Sequence, residues 1–189
     1  SQIKADMKIQ LTLPEQAADY VRHARLETLN AVDQPIQPEL LEPSPFGMYL
    51  LAYGADDGRP LGMAEFTFYR QVYESFEASP YPEHIGLKNI GPFESFVGTR
   101  TIYVEPESRG QVPPYYLLLA MAGSRICYDF GARYTTATTN ASNDYLMRLY
   151  KKTGGRHIGT YRDESMADFD IAVFVFDLEQ LAHHRAMKR

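Results

Sequence analysis

The run from Phe169 to Phe176 is almost continuously apolar, broken only by Asp170. Such a run is what a strand buried on both faces needs, because neither side can present polar groups to water. The rest of the chain supplies alternating partners for it. Met7 to Leu13 alternates as a strand, and Pro14 opens a helix at its first position, where a missing N–H costs nothing. Ala17, Val21, Ala24 and Thr28 follow at helical spacing. Gly47–Tyr53 and Leu61–Tyr69 read as strands, and Ala55-Asp56-Asp57-Gly58 between them predicts an antiparallel hairpin. Phe93–Val104 is the next strand. A helix is predicted from Pro113 to Phe130 with Gly131 as its left-handed stop, then a strand over Arg133–Thr139. A further helix spans Ser142–Thr153, with Ser142 as N-cap and Gly154 as stop. This order predicts an α+β or mixed α/β fold with a central, largely antiparallel sheet flanked by helices. At 189 residues, with no repeat or linker, one domain over 1–189 is expected.

Composition narrows the function classes. Cys127 is the sole cysteine, which excludes an internal disulfide and a multi-thiolate metal site. Flanked by Ile126, Tyr128 and Phe130, it reads as core. His84 has no second ligand at metal spacing, so no metal is expected. No stretch approaches the roughly 18 apolar residues of a membrane span. Ser1 to Asp6 carry no apolar signal core, which leads to the expectation of a cytoplasmic protein. The net charge of −5 argues against general nucleic-acid binding. Residues 100–156 nevertheless hold eight basic groups against four acidic ones, a local +4, while the remainder is −9. That asymmetry suits an anionic ligand or an acidic partner, or else a scatter of solvated charges. The tail His183–Arg189 reads as a solvated helix end.

The informative block runs from Thr101 to Gly155. A strand ends at Val104, the turn Glu105-Pro106-Glu107-Ser108-Arg109-Gly110 follows, and a helix begins beyond it. A loop feeding a helix N-terminus offers backbone N–H groups and the positive end of a dipole, which suits a phosphate, and Arg109 adds a guanidinium. The plain alternative is a strand–turn–helix with an exposed arginine. Later come Asn143, Tyr150 seven residues on, and Gly154 four beyond.

Val104, Pro106, Arg109 and Gly110, followed by Asn143, Tyr150 and Gly154, resemble the GNAT superfamily of N-acyltransferases at matching spacing over about residues 60–156. The resemblance implies that Ile102, Tyr103 and Val104 hold the pantetheine arm of an acyl donor. It implies that Arg109, Gly110, Gln111, Val112 and Tyr115, with Asn143, complete donor binding, and that Tyr150 is the general acid. A departing thiolate needs a proton, and a positioned phenol can supply it. The alternative for Tyr150 is a core tyrosine beside Leu146 and Leu149.

The chain departs from that pattern where the family has glycines. Val112 and Pro114 stand at those positions with Pro113 between them, which removes donor N–H groups from a pyrophosphate cradle. That departure, with the local +4, fits acyl carrier protein as donor beside acyl-CoA. Glu94 and Arg100 also resemble in residue type the acyl-homoserine-lactone synthase and N-acyl amino acid synthase branch, whose members can take acyl chains from a carrier protein. The usual carboxylate base is absent, since Gly98 and Thr99 occupy its positions. Glu94 and Glu65 are the candidates, the latter because a carboxylate in an apolar run is costly unless paired or functional. The long segment 70–92 offers Tyr73, Phe76, Tyr81 and Phe93 for an apolar groove, and Glu74, Glu77, Glu83 and His84 to hold an amine. Tyr73, Phe76, His84 and Arg100 are therefore the candidate acceptor-binding residues. The implied activity is acyl transfer from a pantetheine thioester, acyl-CoA or acyl carrier protein, to the amine of a small molecule such as an amino acid. The alternatives are an acetyl-CoA-dependent N-acetyltransferase and a binding module of this fold without catalysis. A homodimer is compatible with each.

Overall fold

The computed structural model describes residues 7–31, 36–55, 58–162 and 170–182. The Asp56-Asp57 turn, Phe169, the Ser1–Asp6 stretch and the His183–Arg189 tail of the sequence reading lie outside the described residues. The elements in chain order are β1 (Lys8–Thr12), α1 (Pro14–Ala31), β2 (Gly47–Tyr53), β3 (Pro60–Phe68), α2 (Tyr69–Val72) and β4 (Phe96–Val104). They continue with α3 (Tyr115–Asp129), β5 (Tyr134–Asn140), α4 (Asp144–Lys152), β6 (Arg156–Arg162), β7 (Asp170–Asp177) and α5 (Leu178–Ala182). Strand order is β1-β2-β3-β4-β5-β7-β6. β1 runs antiparallel to β2, and β7 runs antiparallel to both β5 and β6. This is the mixed, mostly antiparallel sheet with helices that the sequence predicts.

The chain forms two compact units, one of residues 1–66 with 101–123 and one of 67–100 with 124–189. In the first, α1 turns Ala17, Val21 and Ala24 inward against Tyr49, Leu51, Met63 and Tyr103. The spacing of those three small residues is what lets the helix lie close to the sheet. Gly123 serves the same end on α3. A Cβ there would come 2.0 Å from the Phe66 ring, so only glycine allows this approach.

In the second unit β7 lies between β5 and β6, and Ala172 to Phe176 are all buried. The apolar run thus does what its pattern required. A second cluster gathers Tyr69, Phe76, Leu87, Phe96 and Val175, with Tyr73, Phe93 and Tyr134 packed against it. β4 and β5 are parallel, and their register covers three residues, Phe96–Gly98 opposite Tyr134–Thr136. Parallel pairing requires a crossover, here supplied by α3.

Several boundaries differ from the sequence reading. α3 starts at Tyr115, not Pro113, because the two prolines precede its first turn and only the Pro114 carbonyl accepts from Leu118 N–H, at 3.1 Å. β4 starts at Phe96, since Phe93–Ser95 coils into a single 3-10 turn. The N-cap of α4 is Asn143 rather than Ser142, its side chain accepting from the Leu146 N–H at 3.1 Å. Gly131 and Gly154 adopt φ of 96° and 99°, the left-handed stops expected of them.

Candidate functional site

The second unit contains a cleft of about 730 Å³ beside the point where the β4–β5 register ends. β4 contributes Gly98, Thr99 and Arg100 to it, and β5 contributes Thr136 and Thr138. The segment after β3 contributes Tyr69, Tyr73, Tyr81, Glu83 and His84, while Tyr161 and Arg162 come from β6. The floor includes Thr67, whose hydroxyl is buried with no hydrogen-bond partner among the described residues. An orphan of this kind costs about 1–3 kcal/mol in a folded protein.

His84 is the hub of the cleft wall. Its Nε2 lies 3.1 Å from the Tyr69 hydroxyl and its Nδ1 lies 2.7 Å from Ser79 Oγ. The Tyr69 hydroxyl lies 2.7 Å from Thr136 Oγ1. The imidazole stacks on the Tyr69 ring at 4.7 Å and meets the Tyr73 and Tyr81 rings at 5.8 and 5.2 Å. Burial lowers its pKa to about 4, so the ring is neutral at neutral pH. Burial also raises the Tyr69 phenol well above its usual value.

Tyr73, His84 and Arg100 thus come together in one cleft. Phe76 does not join them. It is 5% exposed and packs edge-on against Phe93 and Phe96 at 5.2 and 5.4 Å, making it a core anchor for the segment. Glu94 is exposed on the 3-10 turn before β4 and is not among the lining residues. Glu65 is fully buried in the first unit, 2.5 Å from an Arg25 nitrogen, and also hydrogen-bonds the Tyr49 phenol. Its place in an apolar run is accounted for by that ion pair.

In the first unit the β4 end and its turn are held by charge. Arg109 Nε donates to the Val104 carbonyl at 2.9 Å, and its guanidinium lies 5.8 Å from the Tyr103 ring centroid. Gly110 takes φ of 86°, which only glycine adopts freely. Gln111 and Val112 are exposed and Tyr115 half-buried at the start of α3, whose first-turn N–H groups lack partners within the helix. Those N–H groups and Arg109 fit an anionic ligand, with fewer donors than a glycine-rich loop would offer. Ile102 is half-buried and Val104 buried.

Sequence reading missed Glu105. Its carboxylate accepts from the Tyr20 and Tyr103 hydroxyls at 2.9 and 3.2 Å and lies 2.7 Å from His23 Nε2. Burial would raise its pKa, but those hydrogen bonds outweigh burial and hold it below the usual carboxylate value. The only signal was an acid following a buried strand end. A depressed folded pKa stabilises above the unfolded value and is lost as pH falls. Glu105→Ala should therefore cost about 1–3 kcal/mol at pH 7. The gap between the two proteins should close below about pH 4.5, which thermal melts from pH 3 to 7 will show.

Tyr150 lies on α4 in the second unit and Asn143 stands just before it. Tyr150 is 7% exposed, its ring edge-on to Phe174 and Phe176 at 5.2 and 5.8 Å. Asn143 caps the helix. Cys127 is buried, which pushes its thiol up to about 12 and suits a core residue. Part of the local basic charge is consumed by ion pairs, Arg125 with Asp129 and Arg133 with Asp177 and Glu179. Arg148, Lys151, Lys152 and Arg156 are exposed. Among the described residues no three His, Cys, Asp or Glu side chains come together as a metal cluster, and no helix is long and apolar enough to cross a membrane.

No family model matches the chain, and no curated protein matches it in sequence. Solved structures do match in fold. A Desulfovibrio desulfuricans protein assigned to the GNAT family of acetyltransferases superposes with a TM-score of 0.60 at 15% identity, over 91% of this chain and 99% of its own. A spermidine/spermine N-acetyltransferase from Vibrio cholerae gives 0.64 at 9% identity, over 94% and 97%. An N-acetyltransferase from Staphylococcus aureus Mu50 gives 0.58 at 17%, over 91% and 98%. The chain has the GNAT fold.

Proposed function

We propose that the protein is an N-acyltransferase that moves an acyl group from a pantetheine thioester to the amine of a small carboxylate-bearing molecule such as an amino acid. The observation that carries this reading is the cleft of the second unit, whose inventory matches such an acceptor. Arg100 can meet a carboxylate, and Glu83 and the faces of Tyr73 and Tyr81 can meet an ammonium. The GNAT fold of the solved acetyltransferases supports the reaction class.

In this reading the amine nitrogen attacks the thioester carbonyl carbon and the carbon–sulfur bond breaks. The nitrogen loses a proton, and the departing sulfur receives one from Tyr150. Ile102, Tyr103 and Val104 hold the pantetheine arm, and a backbone N–H polarises the carbonyl. Arg109, Gly110 and Tyr115 take the donor's phosphate. The prolines ahead of α3 favour a donor with a single phosphodiester, and the exposed Arg148, Lys151 and Lys152 favour an acidic carrier protein.

The test mixes the protein with acetyl-CoA, a longer acyl-CoA and the matching acyl carrier protein, each against the twenty amino acids, and follows thiol release. Amino-acid-dependent release is expected. Arg100→Ala should raise the acceptor KM about tenfold or more, the scale of a lost charge-assisted hydrogen bond, with kcat little changed. Release from the carrier should exceed that from acyl-CoA and fall with salt, since exposed charges are screened over about 8 Å. Tight binding of coenzyme A without thiol release from any donor would instead establish a binding module.

A further inference from the structure

Neither carboxylate that the sequence offered as a base reaches the amine, since Glu65 is committed to Arg25 and Glu94 stands outside the cleft. Four side chains of the second unit form a continuous hydrogen-bonded line, Thr136–Tyr69–His84–Ser79, with spacings of 2.7, 3.1 and 2.7 Å. Its direction follows from counting protons. Ser79 Oγ accepts from the Tyr81 N–H at 3.1 Å, and Ser79 also hydrogen-bonds the Tyr73 phenol. Directing the serine proton to Tyr73 leaves its oxygen to receive the proton of His84 Nδ1. The neutral ring then has Nε2 as its acceptor, filled by the Tyr69 hydroxyl. With its own proton so used, the Tyr69 oxygen receives the proton of Thr136. Thr136 Oγ1 is left to accept from whatever stands in the cleft.

Space is kept open at that end of the line. A Cβ on Gly98 would lie 3.0 Å from the Tyr69 ring and 3.7 Å from Thr136 Oγ1, so the missing side chain leaves room beside the threonine hydroxyl. Thr136, Gly98, Tyr69 and His84 all line the cleft. We infer that this line is a proton relay in which Thr136 touches the attacking amine and His84, acting through Tyr69, holds the proton that the amine releases. The inference rests on the acyl-transfer reading and assigns its missing base. The balance is simple. The N–H bond breaks toward Thr136 Oγ1, the threonine proton passes to Tyr69 and the tyrosine proton passes to His84 Nε2. The product is an imidazolium with both ring nitrogens hydrogen-bonded, and it returns the proton to solvent after the amide forms.

The charged and titratable groups around His84 bear on its protonation. The Tyr69, Tyr73 and Tyr81 rings pack on it, and Glu83, Arg100, Tyr161 and Arg162, the last paired with Asp170, line the same cleft. Burial keeps the ring neutral down to about pH 4 and equally opposes a lasting imidazolium, so His84 holds the proton only transiently.

The experiment measures amino-acid-dependent thiol release from acetyl-CoA, the longer acyl-CoA and the acyl carrier protein between pH 5 and 9 for the unaltered protein, His84→Gln and Tyr69→Phe. Glutamine can still accept from Tyr69 but cannot take up the proton. For both variants kcat should fall about 100-fold or more, the acceptor KM should stay within about threefold, and the double variant should be no worse than either single one. The lost rate should return in proportion to added imidazole buffer, which a packing defect would not do. A His84→Gln protein with kcat within about threefold of the unaltered one overturns the relay and leaves the acyl-transfer reading standing. A fall in kcat without buffer rescue, or one carried by KM, also overturns it. No thiol release by the unaltered protein from any donor removes both.

Discussion

Tyr150→Phe should lower turnover about 100-fold or more, the scale expected of one acid–base group, while the protein keeps its fold. The asymmetry follows from where the ring sits. Its contacts with Phe174 and Phe176 are made by ring carbons, which phenylalanine keeps, while the hydroxyl alone can hand a proton to sulfur. The fall should be largest with donors whose leaving thiol is poor and should shrink with an activated thioester that departs unaided. Equal turnover of the two proteins, measured where chemistry limits the rate, would remove Tyr150 from the mechanism and leave it as core packing.

Arg25→Met should be the most destabilising single change in the first unit. It leaves the Glu65 carboxylate, 0% exposed, without its cation, and stranding a buried charge costs about 3–5 kcal/mol. For a chain of this size that is a fall in Tm of roughly 6–20 °C. Arg25 also donates to the Leu40 and Glu42 carbonyls, so the loosened segment should become a proteolysis site. Arg25→Met with Glu65→Leu should recover much of the loss, because a buried ion pair replaced by packed apolar groups is often neutral. A single variant that melts within a few degrees of the unaltered protein would show that the Tyr49 hydroxyl alone satisfies the carboxylate.

Much of the fold was legible because it rests on local patterns. The apolar run at β7, the small-residue stripe of α1 and the glycine stops after α3 and α4 each carry their reason in adjacent residues. Boundaries slipped where two rules compete. Pro113 and Pro114 look like a helix start, but two successive residues without N–H groups sit more readily ahead of the first turn than in it. Ser142 and Asn143 are both good caps, and only the second places its oxygen on the Leu146 N–H. The site was legible in part for the same reason. Tyr73, His84 and Arg100 were marked by residue type within or beside a long connection. Thr67, Tyr69 and Thr136 were not, because a threonine or tyrosine in a strand-like run has no signature that separates a packed hydroxyl from a working one. Glu65 was marked by an apolar context that proved to be structural, since its partner lies forty residues away on α1.

The cleft wall has one more consequence, for how such a protein can change. The segment from Tyr69 to Phe93 is contiguous in the chain, yet its residues divide into two roles. Phe76, Leu87 and Phe93 turn inward and anchor it to Phe96 and Val175, while Tyr73, Tyr81, Glu83 and His84 face the cleft. A lineage could therefore redraw its choice of acceptor by exchanging Tyr81 and Glu83 alone, with His84, Tyr73, the strand register and the inward anchors untouched. Transplanting the whole segment into a relative would carry both roles at once and should fail unless the host supplies the same inward pockets.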